Sequence, residues 1–153
     1  MNHITHFASY GGVFFRKSQT FMKAAFKDLG FSFVEAIVLI NVCENPGIIQ
    51  EKIAYNLALD DAAVARSLKQ LESRGLLRRE IDLDNQRTKK VYAQPEGSRS
   101  KQDMDRIMDY WNELLLEHSS PQEIESMITT LRTLRQNALD INIEQAIQKL
   151  KQS

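Results

Sequence analysis

Arg87, Lys89 and Lys90 stand in the stretch IDLDNQRTKKVYAQPEG, residues 81–97, and Arg66 and Lys69 stand three positions apart earlier in the chain. Guanidinium and ammonium groups so placed suit the binding of phosphate and of base edges. From residue 66 to residue 101 the chain holds ten basic residues against five acidic ones, although its formal net charge is +0. The remainder is therefore acidic, and the pattern predicts one basic face turned toward a polyanion.

Other chemistry finds little support. There is no glycine-rich phosphate loop, no nucleophile elbow and no cluster of His, Cys and Asp, so neither catalytic residues nor a cofactor are expected, and the chain does not read as an enzyme. His3 and His6, with His118 elsewhere, are too few to hold a metal, and the first two read as part of a frayed terminus. The one cysteine, Cys43, cannot form an internal disulfide. With no Lys, Arg or His close in sequence it reads as a buried thiol, not as a redox sensor. The longest apolar run, residues 36–40, is far short of the roughly 18 residues of a membrane span. With no basic leader into an apolar segment, this predicts a cytoplasmic protein.

The elements that position the basic residues are legible from periodicity and caps. Residues 6–29 carry Tyr10, Val13, Phe14, Phe21, Met22, Ala25, Phe26 and Leu29 at helical spacing, and Gly30 supplies a stop. Ser32 and Glu35 have the S-x-x-E form of a capping box and open a second helix that ends at Asn45-Pro46-Gly47. Its apolar residues cover most of its circumference, which predicts the most buried helix. A short helix over Gln50–Leu57, a turn at residues 58–60 and a helix over Asp61–Ser73 make a helix-turn-helix. Val64, Leu68 and Leu71 form the inner stripe of the second of these, leaving Ala62, Ala63, Ala65, Arg66 and Lys69 outside.

Residues 76–81 and 91–94 read as a two-stranded hairpin ended by Pro95 and Gly97. A helix-turn-helix followed by a hairpin with a basic tip is a winged helix. Its exposed helix fits the major groove, and Arg87 at the tip is placed to enter the neighbouring minor groove. The final third is helical: residues 98–117, then a helix opened by Ser120-Pro121 and Glu123, then a last one opened at Asn142.

Two segments carry a family resemblance over nearly the whole chain. Val64-Ala-Arg66-Ser-Leu68-Lys-Gln-Leu71-Glu-Ser-Arg-Gly75-Leu-Leu-Arg78 is similar to the recognition helix and its exit in the MarR family of transcriptional regulators, and Arg87-x-x-x-Val91-x-x-x-x-x-Gly97 resembles that family's wing. The family's usual aspartate two residues before the arginine is Asn85 here, and its Leu-Thr after the second strand is Ala93-Gln94. Loss of an aspartate contact predicts a less firmly oriented Arg87.

The resemblance implies a mainly α protein: a winged helix-turn-helix with a small β-hairpin wing, and long N- and C-terminal helices forming a dimerisation region. The expected division is residues 1–30 and 98–153 for dimerisation and residues 31–97 for DNA binding. It implies a homodimer on a pseudo-palindromic double-stranded operator, acting as a repressor under a small aromatic or anionic effector. The wide apolar faces of the outer helices support a dimer independently. Expected DNA contacts are Ala62, Ala63, Arg66, Lys69, Arg87, Lys89 and Lys90. An effector pocket is expected near Phe14, Phe33, Ile37 and Trp111, although the aromatic stripe of Tyr10, Phe14, Phe21 and Trp111 is of a kind that more often forms a core or dimer interface than a ligand cage. The alternative function is a winged-helix interaction protein that has lost specific DNA binding.

Overall fold

The computed structural model describes residues 3–152, with side-chain surroundings from residue 6 onward. The side chain of His3 therefore lies outside the description, as do residues 1, 2 and 153 of the expected dimerisation region. In chain order the elements are α1 (His3–Asp28), α2 (Phe33–Glu44), β1 (Ile48–Ile49), α3 (Gln50–Leu57), α4 (Asp61–Ser73), β2 (Leu77–Ile81), β3 (Lys89–Ala93), α5 (Pro95–Leu116), α6 (Pro121–Asp140) and α7 (Ile143–Gln152).

Local chemistry sets most of these boundaries. Gly30 at φ +82 takes the left-handed conformation that lets the Phe31 amide reach the Phe26 carbonyl at 2.9 Å, closing α1. The capping box of α2 is complete: the Ser32 amide donates to Glu35 Oε2 at 2.8 Å, and the Glu35 amide donates to Ser32 Oγ at 3.2 Å. Within α2 only Glu44 is exposed, and Ala36, Val38, Leu39 and Val42 are buried. Ser120 and Glu123 form a second complete box at the start of α6, with proline at its first position. Asn142 accepts the Gln145 amide at 2.9 Å as α7 begins.

The sheet corrects the two-stranded expectation. It has three antiparallel strands in the order β1-β3-β2, with Ile48 opposite Val91 and Ile49 opposite Lys90. A two-residue strand shows no alternation, so periodicity could not reveal it; pairing with a distant segment creates it.

The start of α5 is a second correction. Pro95 and Gly97 lie inside its first turn, where proline's missing amide is harmless. Gly97 is buried, and a Cβ there would fall against the Leu76 carbonyl oxygen, far inside van der Waals contact. The glycine permits a close crossing of helix over strand entry, a role that resembles a strand stop in sequence.

The chain forms two compact units, one up to Leu115 and one from Leu116 onward. The core of the first contains Val64, Leu68, Leu71, Leu77 and Val91 from the winged helix, but also Phe26 of α1 and Met104 of α5, exposed by 1% and 0%. Both α1 and α5 thus contribute to the core of the winged helix. In the second unit neither α6 nor α7 has a buried residue, and Met127, Ile128, Leu131, Ile143, Ile147 and Leu150 are exposed. No helix among the described residues is long and apolar enough to cross a membrane.

Candidate nucleic-acid interface

The turn between α3 and α4 fixes how the second helix is presented. Ala58 adopts φ 50, and the Leu59 amide donates to the Ala54 carbonyl at 3.0 Å, so the chain reverses within three residues. Asp60 then caps α4, its Oδ1 accepting the Ala63 amide at 2.7 Å, and Asp61 lies in the positive first turn. The two acids before a basic helix face therefore have a local structural cause. Val64, Ser67, Leu68 and Leu71 face inward, while Ala62, Arg66 and Lys69 are exposed. Ala63 and Ala65, expected outside, are half-buried because the inner stripe is wider than Val64, Leu68 and Leu71 alone.

The wing is a register-defined hairpin with a closed tip. Leu77 faces Ala93, Arg79 faces Val91 and Ile81 faces Lys89. Beyond the strands, the Asp82 amide donates to the Thr88 carbonyl at 2.9 Å and the Thr88 amide to the Asn85 carbonyl at 2.8 Å. Asn85 Oδ1 accepts the Arg87 amide at 3.2 Å, so the side chain that replaces the expected aspartate shapes the backbone under Arg87. Arg87 and Lys89 are exposed, and neither makes an ion pair among the described residues. Lys90 differs: its Nζ lies 3.0 Å from Asp82 Oδ1, an attraction that holds the lysine above and the aspartate below their ordinary pKa values. Its charge is largely answered within the wing.

A cleft of about 260 Å³ joins helix to wing, lined among others by Glu51, Leu68, Arg79, Arg87, Lys89 and Val91. Arg79 is tied to Glu72 of α4, with Nε 3.0 Å from Oε2, and that hydrogen bond lowers the glutamate pKa. This bridge braces β2 against α4, a link that periodicity and caps do not reveal because the partners belong to different elements. Arg78 lies over the Tyr92 ring at 4.7 Å on the opposite face of the hairpin.

Among the described clefts, none is lined by all four residues expected around an effector. Phe33 lines an apolar cleft of about 250 Å³ with Phe15, Arg16, Ser18, Gln19 and Met22. Phe14 and Ile37 are not in its lining. Trp111 adjoins it indirectly, donating from Nε1 to Ser18 Oγ at 2.9 Å and stacking on Phe21 at 4.6 Å. Cys43 is half-buried, and burial pushes its thiol pKa up against the opposing influence of Lys101. Lys101 is itself engaged with Asp105 at 2.6 Å and lies 3.8 Å from Glu44.

The chain is similar in sequence and fold to known transcriptional regulators. The MarR family model matches residues 34–89, which span α2 to the first residue of β3. The uncharacterized HTH-type transcriptional regulator YybA of Bacillus subtilis (strain 168) is 29% identical over 126 residues, covering 82% of this chain and 84% of that protein. The crystal structure of the transcriptional regulator SlyA superposes with a TM-score of 0.77 at 32% identity, over 86% of this chain and 93% of that one. A putative MarR family transcriptional regulator from Listeria monocytogenes, solved in complex with a 26mer DNA, gives a TM-score of 0.79 at 29% identity, over 84% and 86%.

Proposed function

The chain belongs to the MarR family of transcriptional regulators, and from that premise we propose that it binds a pseudo-palindromic double-stranded operator as a homodimer and represses transcription there. The observation that carries this reading is the pairing of an exposed α4 face, bearing Arg66 and Lys69, with a wing whose Arg87 and Lys89 are exposed and without ion pairs among the described residues. The α4 face suits a major groove, with Ala62 and Ala63 small enough for close approach. Arg87 suits the adjacent minor groove, and Lys89 the backbone; Lys90 contributes less, because Asp82 holds it. A dimer on such a site would block access to a promoter.

The test is a gel shift and salt titration with fragments from around the protein's own gene. Arg87→Ala removes one cation per subunit, so binding is expected to weaken and the slope of log affinity against log salt to fall by about two units at most. Wild-type affinity and slope in a folded variant would refute the role of Arg87. Absence of any specific shift would leave the interaction-protein reading.

Residues 1–30 and 98–153 are proposed as the dimerisation region. Phe7, Tyr10 and Val13 on α1 and Ile143, Ile147 and Leu150 on α7 are all exposed, apolar surfaces that a second copy would cover. Light scattering is expected to give twice 17.6 kDa at micromolar concentration, and a stable monomer would overturn the assignment. A small aromatic or anionic effector is proposed for the cleft at Phe33, whose wall residue Ser18 holds Trp111. Tryptophan fluorescence across a panel of aromatic acids reports on it, and no change would count against the site.

A further inference from the structure

The wing carries an apolar feature that neither its fold nor its charges require. Leu83 is 93% exposed, the most exposed large apolar side chain among the described residues, and Ile81 two positions earlier is 60% exposed. Along β2 the face that begins with buried Leu77 continues through Arg79 to Ile81, opposite Ala93, Val91 and Lys89. Arg79, Lys89 and Val91 line the cleft beside Leu68 of α4, so Ile81 extends the cleft-side face beyond the core and Leu83 follows in the tip. The hydrogen bonds that close the tip come from Asp82, Asn85 and backbone groups. Leucine therefore has no folding duty at position 83, and its exposure to water is unfavourable until something covers it.

We propose that Leu83, with Ile81, lies against the deoxyribose walls of the minor groove that Arg87 enters, and that this apolar contact is a determinant of operator affinity and groove selectivity. The proposal rests on the DNA-binding reading above. Three observations favour DNA as the cover. Ile81 pairs with Lys89, which lines a cleft together with Arg87 where phosphates would lie. Of the two acids that flank Leu83, Asp82 is bound to Lys90 and accepts the Asp84 amide at 3.1 Å, which moderates repulsion of the backbone. A second copy of the wing would bring Arg87 and Lys89 against their own like charges, whereas a nucleic acid groove offers sugar carbons between two anionic rails. With Asp82 and Lys90 offsetting each other, Arg87 and Lys89 stand against Asp84 in the tip and Glu51 across the cleft. So weak a Coulombic attraction leaves room for a contact that does not depend on salt.

The experiment measures affinity and salt dependence by fluorescence anisotropy, using the full chain and a duplex that the wild-type protein enriches from a random-sequence pool. Leu83→Ala is expected to weaken binding roughly tenfold by removing buried carbon surface, with the salt slope unchanged because no charge is lost. Leu83→Met, similar in volume, should retain most of the affinity. Thermal unfolding of both should match wild type, since the side chain contributes nothing to the core. Arg87→Ala in parallel should weaken binding with a shallower slope, which separates an apolar contact from an ionic one.

Wild-type affinity in Leu83→Ala overturns the proposal. So does a loss accompanied by a shallower slope, which would mean that Leu83 acts by placing the cations. A changed oligomeric state with DNA affinity intact would assign the leucine to protein association and overturn it as well. If the wild-type chain enriches no duplex at all, the DNA-binding reading falls and this inference falls with it. If it does enrich one and Leu83→Ala binds that duplex equally well, only the leucine contact is refuted.

Discussion

Gly97→Ala is expected to destabilise the protein by about 2 kcal/mol or more, lowering the unfolding midpoint by roughly 4–8 °C. The new methyl would fall against the Leu76 carbonyl oxygen, with Leu39 Cδ1 a further 3.3 Å neighbour. The carbonyl cannot easily retreat. It accepts the Gln94 amide at 2.9 Å, while the Leu76 amide is held by the Leu71 carbonyl at 3.0 Å, so this one residue joins α4, the hairpin and the start of α5. Alanine gains about 1 kcal/mol over glycine in helix propensity, which is smaller than the usual cost of forcing backbone apart in a packed core. Gly75 offers the contrast: its surroundings are open but its φ is +71, so Gly75→Ala costs only the roughly 1–2 kcal/mol of a left-handed non-glycine residue. Calorimetry on the two variants checks the order, and an unfolding midpoint for Gly97→Ala at or above that of Gly75→Ala would contradict it.

The double variant Arg66→Ala, Lys69→Ala should lose most of its base-pair discrimination while folding normally. Both side chains are exposed on α4 and make no ion pair among the described residues, so the core stripe of Val64, Leu68 and Leu71 is untouched. Each direct base contact is worth about 1–3 kcal/mol of discrimination, so the pair is expected to flatten preference between operator and mismatched duplexes by roughly 30-fold to 20,000-fold. Arg87→Ala should behave differently, relaxing chiefly a preference for A·T over G·C outside the major-groove positions. Binding measured on a set of single-base-pair operator variants separates the two patterns. An unchanged preference profile in the double variant would remove α4 as the reading helix.

Features governed by neighbours in the chain are legible in the amino-acid order itself. The caps of α2 and α6 follow from Ser-x-x-Glu, the bounds of α3 and α4 from apolar spacing between turn signals, and the basic tip from composition alone. Each depends on hydrogen bonds or periodicity within a few residues, and such interactions are written in contiguous sequence. The exposed basic face of α4 is readable for the same reason, apart from the half-buried Ala63 and Ala65.

What the tertiary structure alone decided are relations between segments whose sequence separation hides them. Strand β1 exists only because Ile48 and Ile49 meet Val91 and Lys90. Gly97 is required by Leu76, and Phe33 lines a cleft with Phe15 and Met22 while Phe14 and Ile37 lie outside its lining. Cys43 meets a lysine from α5 that its own helix lacks. The wing shows the boundary most clearly. Its charges could be counted in the sequence, but only the folded hairpin pairs Lys90 with Asp82 and leaves Arg87, Lys89 and Leu83 facing outward. Which side chains meet and which remain free is set by chain reversal and packing, and no local pattern encodes it.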